Sequence, residues 1–538
     1  MVFSILDVSH IVSQQSRVAI AKAATASRGA RRTNGNHLIE QMQARCGRTT
    51  IDMSQIYARL GAIYARVAVP PPSALSDQDV LEMFLDRAVV HTRAILRDLF
   101  GPPEERSFSV RLWDGSVEEA GGSGEPIFTL VLRFPYALRR MLWPPSELSL
   151  GEAYLRGEFD IEGNVEAAIC LGDVLHAQPR SPRVMARLIT HIVALPPNAQ
   201  KAELGRRVQT PLRRLGARHS RQRDAATVKA HYDVSNDFYQ LWLDHRLVYS
   251  CAYFQTGSES LNAAQEAKLE HICRKLRLQP GERLLDIGCG WGGLVHYAAE
   301  RYGVHATGIT LSESQADFAR ERIHAAGLDA RATIELWDYR DIPSNLQFDK
   351  VVSVGMLEHV GRAKLTTYFE KARQLTVPGG LFLAHGIVHL TRPPNPVVST
   401  LAGRLIWRRG AFVQRYVFPD GELAPPAELV RHAERAGWEL RDVENLREHY
   451  ARTLRHWVDR LEANHDDATQ LVGEVTYRIS RLHMAGSARA FANGNLGVVQ
   501  LLLSNTDTHG TCRLPPTRAD IYRERVTTMP APDTIAVE

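Results

Sequence analysis

One stretch constrains this chain more than any other. Arg283–Ile287 is a short apolar run carrying Asp286, and it leads directly into Gly288-Cys289-Gly290-Trp291-Gly292-Gly293 and the helix-patterned Leu294–Tyr302. Strand, glycine turn and helix in that order form the first half of a βαβ unit. Glycine lets the backbone turn sharply and approach a ligand closely at the N-terminus of the following helix. Around this point residues 228–504 alternate strand-length apolar runs with amphipathic helical stretches, which predicts an α/β domain on a parallel sheet.

Two ligands fit the loop. It satisfies Gly-x-Gly-x-Gly, common in S-adenosylmethionine enzymes, and also the dinucleotide pattern Gly-x-Gly-x-x-Gly through Gly288, Gly290 and Gly293. A dinucleotide site wants an acid near the end of the next strand to hold the ribose. That strand, Val304–Ile309, ends in Thr310-Leu311-Ser312, and the first acid, Glu313, already belongs to the next helix. The nicotinamide reading loses ground. A glycine turn with no ligand is disfavoured by the order of the three elements.

Charge is unevenly spread. Residues 180–223 carry eleven basic side chains against Glu203 alone, and residues 1–75 carry nine against Asp7, Glu40 and Asp52, although the whole chain is only +5. A near-neutral body with two basic segments suits a polyanionic surface, such as phospholipid headgroups or nucleic acid; a solvated linker is the plainer reading. The expected organisation is a basic, disordered extension over 1–75, an α+β domain over 76–179, a basic linker over 180–227, the α/β domain over 228–504 and a disordered tail over 505–538. Within the linker, Pro196-Pro197 and Pro211 should break any long helix. The extension also has the composition of a targeting segment. No apolar run approaches the roughly 18–20 residues that span a bilayer. The six cysteines lie far apart with no Cys-x-x-Cys pair, so neither a disulfide framework nor a metal site is expected, and the compartment is expected to be reducing.

Several longer strings carry a resemblance over about residues 140–505. They are His231–Asp237, Tyr249-Ser250-Cys251-Ala252-Tyr253-Phe254, Leu285–Gly293, Gly308–Ser312 with Gln315, Ser353–Met356 leading to Glu358-His359-Val360-Gly361, and Tyr416-Val417-Phe418-Pro419. With them the chain resembles the cyclopropane-fatty-acyl-phospholipid synthases, a family that includes the mycolic acid cyclopropane synthases. The resemblance implies a Rossmann-like S-adenosylmethionine-dependent methyltransferase domain. Leu150-Gly151-Glu152-Ala153-Tyr154 resembles the lipid-docking N-terminal domain of the phospholipid enzymes, which favours membrane phospholipid over carrier-bound chains. Where Ala492 stands the family more often has a basic residue.

An isolated alkene is a poor nucleophile, so methyl transfer to it requires alignment in a pocket that excludes water. The attack leaves a carbocation, which aromatic faces such as Tyr253, Phe254 or Tyr450 can stabilise. Ring closure then needs a base. The resemblance implies a bound bicarbonate, held by Cys251, Glu358, His385, the backbone at Ile387 and Tyr450. Each has a plainer alternative: Cys251 as a small buried hydrophobe, His385 as a satisfied core histidine after the strand Gly380–Ala384, Tyr450 as helix packing. A buried Glu358 should need a partner in His359, His385 or the anion. For the cofactor, the resemblance implies Tyr249, Ser250, Gly288, Gly290, Thr310, Leu311, Gln315, Trp337, Asp338 and Val354, with Asp286 and Gly292 of the loop added. Asp338 can accept from the adenine amino group, and Trp337 can stack on the ring.

The resulting expectation is an enzyme that closes a cyclopropane ring on an unsaturated chain of a membrane phospholipid, working peripherally at the inner, cytoplasmic face on an anionic surface. A fatty-acyl methyltransferase leaving a methyl branch or methylene is the alternative. A nucleic-acid methyltransferase would need base-reading elements beside the site, and nucleic acid is not expected as a partner. The oligomeric state stays open, a homodimer included.

Overall fold

The computed structural model describes residues 77–121, 124–177, 181–197, 218–224, 235–390, 410–507, 509–512 and 514–523. The extension expected over 1–75 lies outside them, as do much of the linker and residues 524–538.

In the N-terminal part, the helix Asp77–Phe100 precedes a four-stranded sheet of order β2-β1-β3-β4, with β1 at Ser109–Arg111, β2 at Val117–Glu118, β3 at Phe128–Leu132 and β4 at Phe159–Gly163. Phe128, Leu130 and Leu132 alternate inward along β3, the period of a half-buried strand. The helices Ala137–Leu142, Glu147–Leu155 and Val165–Ala177 complete this α+β unit.

The expected linker contains more structure than its prolines suggested. Pro182–Ala194 is a helix, capped where Ser181 accepts from the Val184 amide, and it ends before Pro196-Pro197. Its Leu188 and Ile192 are buried, and Arg187 pairs with Asp98 of the first helix. The apolar i, i+4 pair outweighs the basic composition, so the prolines bound the helix instead of preventing it. Arg218, Arg221 and Arg223 are also paired, with Asp420 and Glu422, Asp341, and Asp420.

The large domain is a seven-stranded sheet of order β10-β11-β9-β8-β5-β6-β7. Its strands are β5 Arg283–Ile287, β6 His305–Ile309, β7 Ala332–Glu335, β8 Phe348–Val354, β9 Thr376–His389, β10 Glu439–Asn445 and β11 Leu496–Ser504. The β9-β8-β5-β6-β7 pairs are parallel, and β11 runs antiparallel to β9 and β10. This is a Rossmann-like sheet. Strand order reverses at β5, flanked by β6 and β8, so the crevice at the C-terminal ends of β5 and β8 is where such sheets bind ligands.

β9 outlasts the strand expected to end at Ala384. His385 and Ile387 lie inside it, because β11 continues the ladder beyond the last β8 partner, Val354. The tail also departs from expectation: the short helix Ala519–Tyr522 docks, with Ile521 buried and Asp520 held by Arg277 at 3.0 Å.

The helix His465–Ala492, bent at Gly473, joins the two units. Arg478 donates to Asp160 at 2.6 Å and to the Tyr154 carbonyl at 3.1 Å, and Arg481 donates to the Tyr154 hydroxyl at 2.8 Å. Glu147 accepts from the amides of Gly410 and Phe412. Among the described residues no helix is long and apolar enough to cross a membrane.

Candidate functional site: two cavities with a shared wall

A cavity of about 1580 Å³ begins at the C-terminal ends of the central strands and continues into the N-terminal unit. Cys251, Glu358, His385, Ile387 and Tyr450 line its inner end. Phe128, Leu130, Tyr154, Phe159 and Ile161 line the far end, so the interior of the small sheet forms its wall. A second cavity lies over the glycine loop, and Tyr249, Ser250, Gly355 and His359 line both.

Glu358 sits on the short helix Leu357–Val360 just after β8. Its Oε1 accepts from the Ile387 amide at 2.5 Å, while Oε2 is buried with no partner among the described residues. Burial pushes the carboxyl up to about 7, the Ile387 bond opposing this. The partner for Glu358 is therefore neither His359 nor His385, and the Ile387 amide is already engaged.

His385 faces Gln500 of β11, with Nδ1 3.2 Å from Nε2 of the amide. With that amide donating, the ring proton is assigned to Nε2, which is buried and unpartnered among the described residues. Burial first, then the charge of Lys268, lowers the imidazole to about 3, so it stays neutral. Cys251 is fully buried, its sulfur 3.3 Å from the Ala252 carbonyl. Burial pushes this thiol up, which keeps it a neutral donor and not a thiolate. Tyr450 meets Phe491 at 4.7 Å and Trp457 at 6.0 Å, an aromatic corner that also borders the cavity.

Two expected aromatics do not reach it. Tyr253 stacks between His271 and His449 at 4.3 and 4.9 Å, and Phe254 stacks on His456 at 5.6 Å. Neither lines the large cavity, because the Tyr253 amide is tied to the Ala264 carbonyl, and this backbone bond holds the chain after Cys251 against a helix.

Tyr249, Ser250, Asp286, Gly288, Gly290, Thr310, Leu311, Gln315, Trp337, Asp338 and Val354 all line the second cavity. Gly292 does not. Its φ of +74° favours glycine, and an added Cβ would stand 2.9 Å from that of Ala319, so this glycine serves close helix packing. Gly290 faces open space. Thr310 donates to Gln315 at 2.9 Å. The Asp338 carboxylate is held by Arg340 at 2.7 and 2.5 Å. Asp286 is buried with Oδ1 unpartnered among the described residues, and burial raises its carboxyl to about 7. An open glycine cradle beside an orphaned carboxyl fits an amino-acid-bearing nucleoside such as S-adenosylmethionine.

Sequence reasoning missed Gln500, whose partner His385 lies on another strand, and it missed Trp457 and Arg340 although Tyr450 and Asp338 stand near them in the chain. It also missed Gln265 and Lys268 on the helix Leu261–Leu276, where an i, i+3 pair of polar residues at buried positions was the available signal.

Comparison with known proteins gives a concordant picture. The family described as mycolic acid cyclopropane synthetase matches residues 219–501, and a domain of unknown function matches residues 95–172. A Pseudomonas putida protein named "Probable fatty acid methyltransferase" is 40% identical over 415 residues, 77% of this chain and 96% of its own. A Mycobacterium tuberculosis protein of the same description is 36% identical over 434 residues, 78% of this chain and 96% of its own. The Escherichia coli cyclopropane-fatty-acyl-phospholipid synthase is 37% identical over 303 residues, 56% of this chain and 74% of its own.

Proposed function

The chain belongs to the mycolic acid cyclopropane synthetase family, and from that premise we propose that this S-adenosylmethionine-dependent methyltransferase acts on the double bond of an unsaturated acyl chain in a membrane phospholipid and closes a cyclopropane ring. One observation carries the reading: the large cavity, apolar over most of its length, ends on Glu358 and His385 and shares a wall with the glycine-loop cavity. Its volume exceeds the roughly 300–1,000 Å³ of ordinary small-ligand pockets, as a long-chain lipid requires.

When bound, S-adenosylmethionine supplies an electrophilic methyl on a sulfonium. Tyr249 and Ser250 of the shared wall orient donor and acyl chain towards one another, which replaces a bimolecular encounter by a fixed approach. The aromatic faces of Tyr450, Trp457 and Phe491 border the inner end of the large cavity, and such faces stabilise positive charge that develops on a chain lying there.

A bicarbonate ion, when bound, supplies a base for the ring-closing proton. Two buried orphans fit such an anion: Glu358, which below about pH 7 keeps a proton that belongs on Oε2, and the His385 Nε2–H. Cys251 and Tyr450 border the same end and add a thiol and a phenol. Neutral donors leave the charge of the anion uncompensated, which preserves its basicity.

Contact with a bilayer is supported by the helix Pro182–Ala194, where Met185, Ile189 and Val193 are 44%, 41% and 54% exposed in one i, i+4 row. The same helix carries Arg183 and Arg187 and no acid. A second reading, a fatty-acyl methyltransferase leaving a branch or methylene, is favoured by the names of the two relatives matched over nearly their full length. Both reactions can use the same chamber and differ in where the proton is lost.

Incubation with S-adenosylmethionine and vesicles of unsaturated phospholipid, followed by mass analysis of the chains, tests the proposal. A chain heavier by one CH2 and lacking its alkene supports it; unchanged lipid overturns it.

A further inference from the structure

Lys268 is 1% exposed, yet among the described residues its ammonium makes one hydrogen bond, to Ser250 Oγ at 2.9 Å, and no ion pair. A buried ammonium so sparsely satisfied is expensive unless an anion joins it. Burial lowers its pKa to about 8, with the carboxylates of Asp244 and Asp286 opposing the fall. It lines the second cavity together with Ser250 and Asp286, whose Oδ1 is orphaned. One end of that cavity thus presents a buried cation and a buried carboxyl, whereas Trp337 and Asp338, suited to a purine, belong to the segment after β7.

The position is braced. Gln265, one turn earlier on the same helix, donates to the carbonyls of Val248 and Ser250 at 3.1 and 2.8 Å. Ser260 caps this helix by accepting from the Ala263 amide, so both side chains leave a fixed scaffold.

We propose that Lys268, with Ser250, receives the α-carboxylate of the cofactor's methionine moiety, while Asp286 stands ready for the α-ammonium. The carboxylate is the one anionic group of S-adenosylmethionine, so a lysine beside a sulfonium is favourable only when that group is its partner. The inference rests on the second cavity being the cofactor site.

Calorimetric binding of S-adenosylhomocysteine is compared with that of its decarboxylated analogue, 5′-(3-aminopropylthio)-5′-deoxyadenosine, which keeps the ammonium and lacks the carboxylate. Wild-type protein should prefer S-adenosylhomocysteine by about 10- to 100-fold, the range of a charge-assisted hydrogen bond. Lys268→Met should collapse that preference to less than about threefold by weakening S-adenosylhomocysteine alone, and Lys268→Arg should restore part of it. Equal weakening of both ligands, or an undiminished preference, would assign Lys268 a purely structural role. Should Lys268→Met not fold, a wild-type protein indifferent to the carboxylate overturns the proposal by itself. A wild type that binds neither ligand overturns the cofactor-site reading as well.

Discussion

The Ile387 amide donates to Glu358 Oε1, and that bond leaves Oε2 as a buried oxygen without a partner among the described residues at the inner end of the large cavity. Because the carboxyl rises from 4.5 to about 7 on folding, its stabilising contribution is complete below the unfolded value and is lost as pH rises through 7. Wild-type protein should lose stability between pH 5 and 8, and Glu358→Gln should lose less, the gap reaching on the order of 3 kcal/mol. Asp286 rises likewise, so part of the slope remains in the variant. Denaturant unfolding across that pH range checks this; superimposable curves contradict it.

Gln500 selects the His385 tautomer through Nδ1. Gln500→Leu removes that selection without adding charge, and should lower kcat by roughly five- to thirtyfold, the worth of one buried hydrogen bond. Gln500→Glu accepts from Nδ1–H and moves the proton off Nε2, so it should be the more damaging. Steady-state kinetics on both variants, with cofactor binding as control, provides the check.

Asp160 pairs with the nearly buried Arg478 across the two units, and Glu474 pairs with it from the same helix. Asp160→Ala should cost about 1–2 kcal/mol, because the buried guanidinium keeps only Glu474, and adding Arg478→Met should recover part of the loss. Chemical denaturation of the single and double variants tests this; a loss below about 0.5 kcal/mol would place the pair among inert surface bridges.

The exposed row Met185, Ile189 and Val193 should matter to lipid contact and little to folding. Met185→Asp with Ile189→Asp should lower co-sedimentation with anionic vesicles severalfold, at a stability change within about 0.5 kcal/mol. Raising salt should weaken wild-type binding too. Binding that ignores both changes removes this helix and the basic segment from the interface.

The fold was legible where local pattern and tertiary demand agree. The glycine turn after β5, the alternation of strands and helices, and the absence of an acid after β6 are short-range signals, and they predicted a parallel sheet with its ligands at one edge. Cys251 and Glu358 lie in strings that resemble a family, His385 and Tyr450 were implied by the resemblance alone, and all four line one cavity. Other features depend on distant partners. Gly292 reads like its neighbours, but only Ala319, brought in by another helix, makes it a packing glycine. Tyr253 and Phe254 share a string with Cys251, yet histidines far along the chain draw them away. Lys268 looks like a surface lysine until Ser250 and Asp286 close over it. The helix Pro182–Ala194 was masked by its charge, and the docked tail by a lone apolar anchor, Ile521.

The proposed function requires the glycine-loop cavity and the large cavity to meet at Tyr249 and Ser250, so that a sulfonium methyl reaches an acyl alkene and a proton then leaves the transferred carbon. The most direct test supplies methyl-trideuterated S-adenosylmethionine with unsaturated phospholipid vesicles and follows the acyl chains by mass spectrometry and proton NMR. Ring closure predicts products that keep two of the three deuteriums, with the olefinic signal replaced by cyclopropane resonances. Products that keep all three deuteriums as a methyl branch, or lipid carrying no deuterium, would contradict it.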